Sequence, residues 1–173
     1  MQIREIDKQS DEELRIVTER CMETILETIP EFEGSQVKAK KILPNFDYVQ
    51  MSTMIAADFS DPSKRIIFAT NTDKLVGQIL YSVKTDEEGR NYGSFFSAYV
   101  LPEQRRHGMA KALLEDSLHW LDEQNVEYVL AQTHITNEKV LSLVKQFGFS
   151  VLGPIQKNWS YYTLRLDKIE PNK

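Results

Sequence analysis

The chain has a single cysteine, Cys21, so no disulfide can close within it and the fold must rest on packing alone. Cys21 falls on an apolar stripe with Leu14, Val17 and Ile25 at helical spacing, which reads as a small core thiol rather than a nucleophile. The histidines are three, at 107, 119 and 134, with no cysteine near any of them; that excludes the usual Cys/His ligand spacings, and no metal is expected. Long apolar runs are missing too, so nothing suggests a membrane span. The first seven residues, Met-Gln-Ile-Arg-Glu-Ile-Asp, mix charge in where a secretory signal keeps an apolar core, which points to a cytoplasmic protein with no membrane partner. A positive surplus is likewise absent: 26 acidic against 21 basic residues leave a net charge of −5, which argues against nucleic acid and agrees with a cationic ligand such as an amine. There is no repeat and no low-complexity tract. What remains, 173 residues of which 41% are hydrophobic, suits one domain over 1–173 with a core of its own.

The stretch from Val100 to Leu121 organises the rest. An apolar and aromatic run, residues 95–100, ends at Pro102, and then Ala110, Leu113, Leu114, Ser117 and Leu121 recur at helical spacing, giving strand, tight turn, helix. Gly108 and the small Ala110 let backbone pass close to a ligand, and the first amides of the following helix have no intrahelical acceptor. With the positive end of the helix dipole behind them, they make a socket for an anion, best a phosphate. Arg105, Arg106, His107 and Lys111 surround it with further donors. No Gly-Lys-Ser/Thr follows the loop, so it is not a nucleotide P-loop, and Gly-x-Gly-x-x-Gly is absent as well.

At these residues the sequence resembles the GCN5-related N-acetyltransferase (GNAT) superfamily, whose signature Gln/Arg-x-x-Gly-x-Gly/Ala is matched by Arg105, Gly108 and Ala110. A preceding Val-x-Pro is matched by Val100 and Pro102. Downstream, Asn137, Leu143 and Gly148-Phe149 fall in register with a second pattern of the family, Asn-x-x-Ala-x-x-Leu-Tyr-x-x-x-Gly-Phe, with Val140 in place of the Ala and Val144 in place of the Tyr. The resemblance is good over residues 92–153 and extends to the N-terminal part only in layout.

In order, residues 2–6 alternate as a short strand, and Ser10 with Glu13 forms a capping box for a helix that Pro30 ends. A polar loop at 29–35 carries Glu31, Phe32 and Glu33. Residues 35–43 read as helical, and Asn45 as the cap of a helix reaching Phe59. A turn at 61–64 leads to β-rich runs at 65–70, 75–84 and 92–100, an antiparallel meander. A helix at 108–124, a strand at 126–133, a helix at 137–147 closed by Gly148 and strands at 149–156 and 160–166 complete the chain, with a frayed tail. The expected class is therefore α/β. The resemblance makes it a single-domain GNAT-like fold: a mixed, mostly antiparallel sheet of about seven strands, splayed between the fourth and fifth and flanked by helices.

The resemblance further implies an N-acetyltransferase that moves an acetyl group from acetyl-CoA to a small-molecule or peptide amine, as a monomer or homodimer. Tyr99, Val100 and Leu101 would then supply the strand edge for the pantetheine arm. Arg105, Arg106, His107, Gly108, Met109, Ala110 and Lys111 would hold the pyrophosphate, with Asn137 also at the cofactor. In the family, the loop holding Glu31, Phe32 and Glu33 borders the acceptor pocket. The family's usual acid, a Tyr, is replaced by Val144, and a Glu that some members carry on the fourth strand falls at or near Ser94. His134, ending a strand three residues before Asn137, is the candidate general base, with Tyr161 and Tyr162 as alternatives of which one should face the core. The rival reading is a GNAT-fold module that binds acyl-CoA with little or no turnover. A phosphate socket for some other nucleotide is a third.

Overall fold

The structure, a computed structural model, describes residues 1–72, 74–157 and 160–167. The chain runs β1 (Gln2–Glu5), α1 (Asp11–Thr28), a one-turn 3-10 helix (Pro30–Phe32), α2 (Gln36–Ile42), α3 (Tyr48–Phe59), β2 (Lys64–Asn71), β3 (Lys74–Thr85) and β4 (Asn91–Val100). A second 3-10 turn (Pro102–Gln104) leads into α4 (Met109–Glu123), β5 (Tyr128–His134), α5 (Glu138–Lys145), β6 (Ser150–Gln156) and β7 (Ser160–Asp167). Asp73, in the turn expected between the first two meander strands, and the tail beyond 167 lie outside the described residues.

Local chemistry sets the boundaries. Ser10 caps α1 through its hydroxyl, which accepts from the Glu13 amide at 3.2 Å, while the Glu13 carboxylate takes the Asp7 amide at 2.8 Å and closes the turn before the helix. The cap of α3 is Asp47, not Asn45: the Asn45 carbonyl accepts from the Asp47 amide at 2.9 Å, and that turn aims the Asp47 carboxylate at the Gln50 amide, 2.9 Å away.

The seven strands form one sheet in the order β1-β2-β3-β4-β5-β7-β6. All neighbours are antiparallel except β4 and β5. Strand alternation divides the apolar residues between two faces. Ile67, Ala69, Val76 and Ile79 pack with Met109, Leu113, Leu114 and Leu121 of α4 and Val144 of α5. On the opposite face, Ile66, Phe68 and Leu80 meet Val17 and Cys21 of α1 and Ile55 of α3. Cys21 is fully buried, and burial pushes its thiol up to about 12, as befits a core residue. A third cluster, Met22, Ile29, Phe32, Ala39 and Phe46, seats the turn after α1.

The feature that positions the site is the β4–β5 junction. The parallel pairing covers three residue pairs, Tyr92 with Tyr128, Gly93 with Val129 and Ser94 with Leu130, and the strands then part. The paired end is reinforced by the stacked rings of Tyr92 and Tyr128, 5.2 Å apart and 1° from parallel. At Gly93 a side chain would come within 2.7 Å of Leu121, so α4 lies directly over the closed end. Phe96 is an extra residue in β4: Leu80 pairs with Ser97 and Tyr81 with Phe95. This bulge bends β4 just where the gap opens.

Candidate active site

At one rim of the gap lies the loop from β4 to α4. Arg106 and Gly108 take left-handed conformations, φ 69° and 81°, the second without steric cost because glycine lacks a Cβ. The first bond inside α4 runs from the Ala112 amide to the Gly108 carbonyl at 3.0 Å. No side chain caps the helix, so the amides of Met109, Ala110 and Lys111 have no intrahelical acceptor. A Cβ built on Gly108 would meet nothing within 4 Å, which leaves backbone open to close approach. Arg106, His107, Ala110 and Lys111 are exposed around it, and the Lys111 ammonium is 3.7 Å from Glu115 one turn on. Met109 turns its side chain into the core and is 6% exposed, so the apolar face of α4 starts there rather than at Ala110. An open helix start with cations around it favours an anion.

Arg105 turns back from this socket. Its Nε donates to the Val100 carbonyl at 2.9 Å and its terminal nitrogen to Glu27 of α1 at 3.0 Å. Its guanidinium stands 5.8 Å from the centre of the Tyr99 ring, with that of Arg20 at 5.4 Å. Tyr99 is buried; that burial, followed by its bond to the Glu23 carboxylate, pushes the phenol up to about 12. The Leu101 amide is committed to the Val76 carbonyl at 2.9 Å. Because an antiparallel ladder alternates, the backbone groups of Tyr99 and Leu101 face β3 while those of Ala98 and Val100 face the gap. Of the three residues expected along the edge, Val100 is the one turned toward it.

The other rim is the end of β5. His134 is 7% exposed, and both ring nitrogens are engaged. Nδ1 accepts from the Thr136 amide at 3.2 Å and lies 2.8 Å from the Thr136 hydroxyl. Nε2 is 3.2 Å from one Glu31 oxygen and 3.4 Å from the other. Since a backbone amide only donates, the proton of the neutral ring sits on Nε2 and points at the carboxylate. Asn137 caps α5, its Oδ1 accepting from the Val140 amide at 3.3 Å while its Nδ2 donates to the Thr133 hydroxyl at 3.0 Å. Tyr161 is the cross-strand neighbour of His134 and is buried. Tyr162 packs against the α4 side of the sheet, so neither ring points freely outward.

Within the loop after α1, Phe32 is fully buried and Glu33 pairs with Lys38, which leaves Glu31 to reach the gap's rim. Val144 is buried in the core, and Ser94 lies in the paired stretch. Sequence reasoning missed the Glu31–His134 contact, which joins residues 103 positions apart, and missed Thr136. The only signal for the first was an acid next to Pro30 in a loop. Among the described residues, no group of three His, Cys, Asp or Glu is arranged to hold a metal ion, and no helix is long and apolar enough to cross a membrane.

A parallel strand pair that parts above an open helix start has close relatives. The acetyltransferase (GNAT) family pattern matches residues 26–149. The chain belongs to the GNAT family. It is 29% identical over 99 residues to the mycothiol acetyltransferase of Propionibacterium freudenreichii, a match that takes in 57% of this chain and 31% of that protein; the chain thus corresponds to about a third of that relative's length. Among solved structures, the ribosomal-protein-alanine N-acetyltransferase of Brucella melitensis superposes with a TM-score of 0.73 at 16% identity, covering 97% of this chain and 100% of that one. The spermidine N-acetyltransferase of Vibrio cholerae, solved with CoA and spermine, gives 0.69 at 13% identity over 96% and 94%. The mixed, splayed sheet of this GNAT chain and its flanking helices are therefore the family's architecture, and the match over 26–149 takes in both rims of the gap.

Proposed function

We propose that the protein is an N-acetyltransferase that moves an acetyl group from acetyl-CoA to a primary amine on a small-molecule or peptide acceptor. The observation that carries this reading is the gap between β4 and β5 beside an uncapped helix start with open space at Gly108. The fit to a CoA thioester is physical: free amides and exposed cations for phosphates, and a strand edge for the amides of the arm. Arg106, His107, Gly108, Ala110 and Lys111 would hold the pyrophosphate with the Met109 amide, and the Val100 carbonyl the arm once Arg105 releases it. Tyr99 supports that edge from behind, Leu101 extends it and Asn137 fixes the opposite rim. Acetyl-CoA supplies the activated acyl group. His134, the titratable side chain at the parting of the strands, serves proton removal from the acceptor. Relatives named for a protein alanine and for spermidine support an amine acceptor, and the composition supports a cytoplasmic setting without nucleic-acid or membrane partners.

One observation favours a second reading. Val144 lies in the core and both His134 nitrogens are engaged, as suits a module that binds acyl-CoA and turns it over weakly. Calorimetry with CoA, followed by thioester cleavage over spermine and an alanine-terminated peptide, separates the two. We expect micromolar CoA binding and cleavage that depends on an amine. Gly108→Trp should abolish the binding, because the new ring fills space now open beside the amides, and should lower the melting temperature only modestly, because a side chain at φ 81° is strained but meets nothing within 4 Å. CoA binding by wild type without cleavage supports the module, and CoA binding by Gly108→Trp at the wild-type affinity places the socket elsewhere.

A further inference from the structure

We infer that Thr136, His134 and Glu31 form a proton relay that carries the acceptor's proton from the gap to solvent. The inference rests on the acyl-transfer reading above and names residues that neither sequence motif contains. The hydrogen bonds are polarised in one direction. The Thr136 amide, 3.2 Å from Nδ1, fixes that nitrogen as an acceptor, so the hydroxyl 2.8 Å away donates to the same lone pair. The Nε2 proton then points at the Glu31 carboxylate, 3.2 Å off. Every donor in the chain therefore faces Glu31, and a carboxylate, which only accepts, is its terminus.

Exposure marks the two ends of the chain. Thr136 is exposed and stands just past the end of β5, on the rim where β5 has left β4. The imidazole side chain is 5% exposed, and the Glu31 side chain is 36% exposed. A buried ring thus bridges two wet ends, the layout a relay needs and one that a merely structural histidine does not require. Glu31 is held for the task, because Pro30 precedes it with a fixed φ and Phe32 after it is fully buried. The other titratable group on this face is Tyr161, across the strand from His134, and no hydrogen bond joins it to the relay among the described residues.

The balance is simple. The acceptor ammonium gives one proton to the Thr136 oxygen as the hydroxyl proton passes to Nδ1 and the Nε2 proton passes to Glu31, which releases it to water; a proton then re-enters at Nε2 through Glu31 as the Nδ1 proton leaves through the exposed Thr136 hydroxyl, which restores the starting tautomer. The freed nitrogen lone pair attacks the thioester carbon of acetyl-CoA; the C–N bond forms, the C–S bond breaks, and the nitrogen's second departing proton returns to the sulfur. Products are the acetamide, free CoA and one proton. Thr136 meets the acceptor, whereas His134 and Glu31 act through it.

The test measures kcat/KM with acetyl-CoA and spermine or an alanine-terminated peptide, alongside CoA affinity by calorimetry and melting temperature. Thr136→Val, which keeps the shape and removes the hydroxyl, and Glu31→Gln should each lower kcat/KM at least about tenfold, toward the range general acid–base catalysis supplies. CoA affinity and melting temperature should hold. Thr136→Ser should recover most of the loss, and the double variant should fall no further than the worse single one, because members of one relay are not additive. Nitrogen-15 spectra should show the Nε2–H tautomer of His134 in wild type. Thr136→Val activity within about threefold of wild type, additive losses, or a proton on Nδ1 of the neutral ring each overturns the relay while leaving acyl transfer standing. A wild type that binds CoA but acetylates neither acceptor overturns the acyl-transfer reading and the relay with it.

Discussion

At position 144 the family's tyrosine is replaced by a valine that is 6% exposed among the core residues between α5 and the sheet. Packed among these core residues, the position has no space for a larger side chain. Val144→Tyr therefore overpacks the core, a change that costs about 1–3 kcal/mol and shifts the helix carrying Asn137. Thermal unfolding should show a lower melting temperature for this variant, with acetyl transfer no faster than in wild type. A stable variant of higher turnover would mean that the side chain escapes toward the gap. In the acyl-transfer reading proposed above, that packing leaves proton handling to the groups at the end of β5, where hydroxyl, imidazole and carboxylate lie within bonding distance of one another.

Among the elements, the turn from β3 to β4 is tied to the closed end of the gap. Asp86 accepts from the Arg90 amide and guanidinium, each at 2.9 Å, and from the Tyr128 hydroxyl at 2.8 Å, tying the turn to β5. Burial alone would raise this carboxyl, but those hydrogen bonds outweigh it and bring it down to about 2. A group depressed on folding stabilises the native state above its unfolded value of about 3.9, and loses that contribution as pH falls through the folded value. Asp86→Asn should therefore melt below wild type by a constant margin from pH 5 to 8, and the two curves should converge between about pH 4 and pH 2. A margin that persists at pH 2 would assign the effect to lost shape instead of charge. Local patterns made most elements readable: Ser10 and Glu13 announced α1, Pro30 its end, and alternation the meander. Nearby competition hid the rest, as when the Asn45–Asp47 turn moved the cap of α3 by two residues. The bulge at Phe96 has no sequence signal, since it depends on how β3 and β4 slip past each other. The open helix start at Gly108 was legible because one short motif contains it, whereas the Glu31–His134–Thr136 chain was not, because it exists only after the turn following α1 meets the end of β5 in space.

For the molecule as a whole, α1 and the β4–α4 loop are linked through Glu27 and Arg105, and both helical layers pack on one sheet. Unfolding should thus be a single cooperative transition, with CoA at a hundred times its dissociation constant adding about 2.7 kcal/mol. For a chain of this size that is a rise of about 5–10 °C, measurable by calorimetry; two separate transitions, or no rise, would contradict it. The three-pair junction between β4 and β5 also divides the sheet energetically. On one side β1 to β4 are laddered along most of their length, on the other β5, β7 and β6 are, and among the described residues only the short parallel stretch pairs the two halves. In the free protein the Ala98 and Val100 amides, which face the gap, should trade deuterium with solvent far sooner than their neighbours Tyr99 and Leu101. The chain thus carries a line of exchange-competent backbone through the middle of an otherwise protected sheet, and filling the gap is what would make the two halves protect one another.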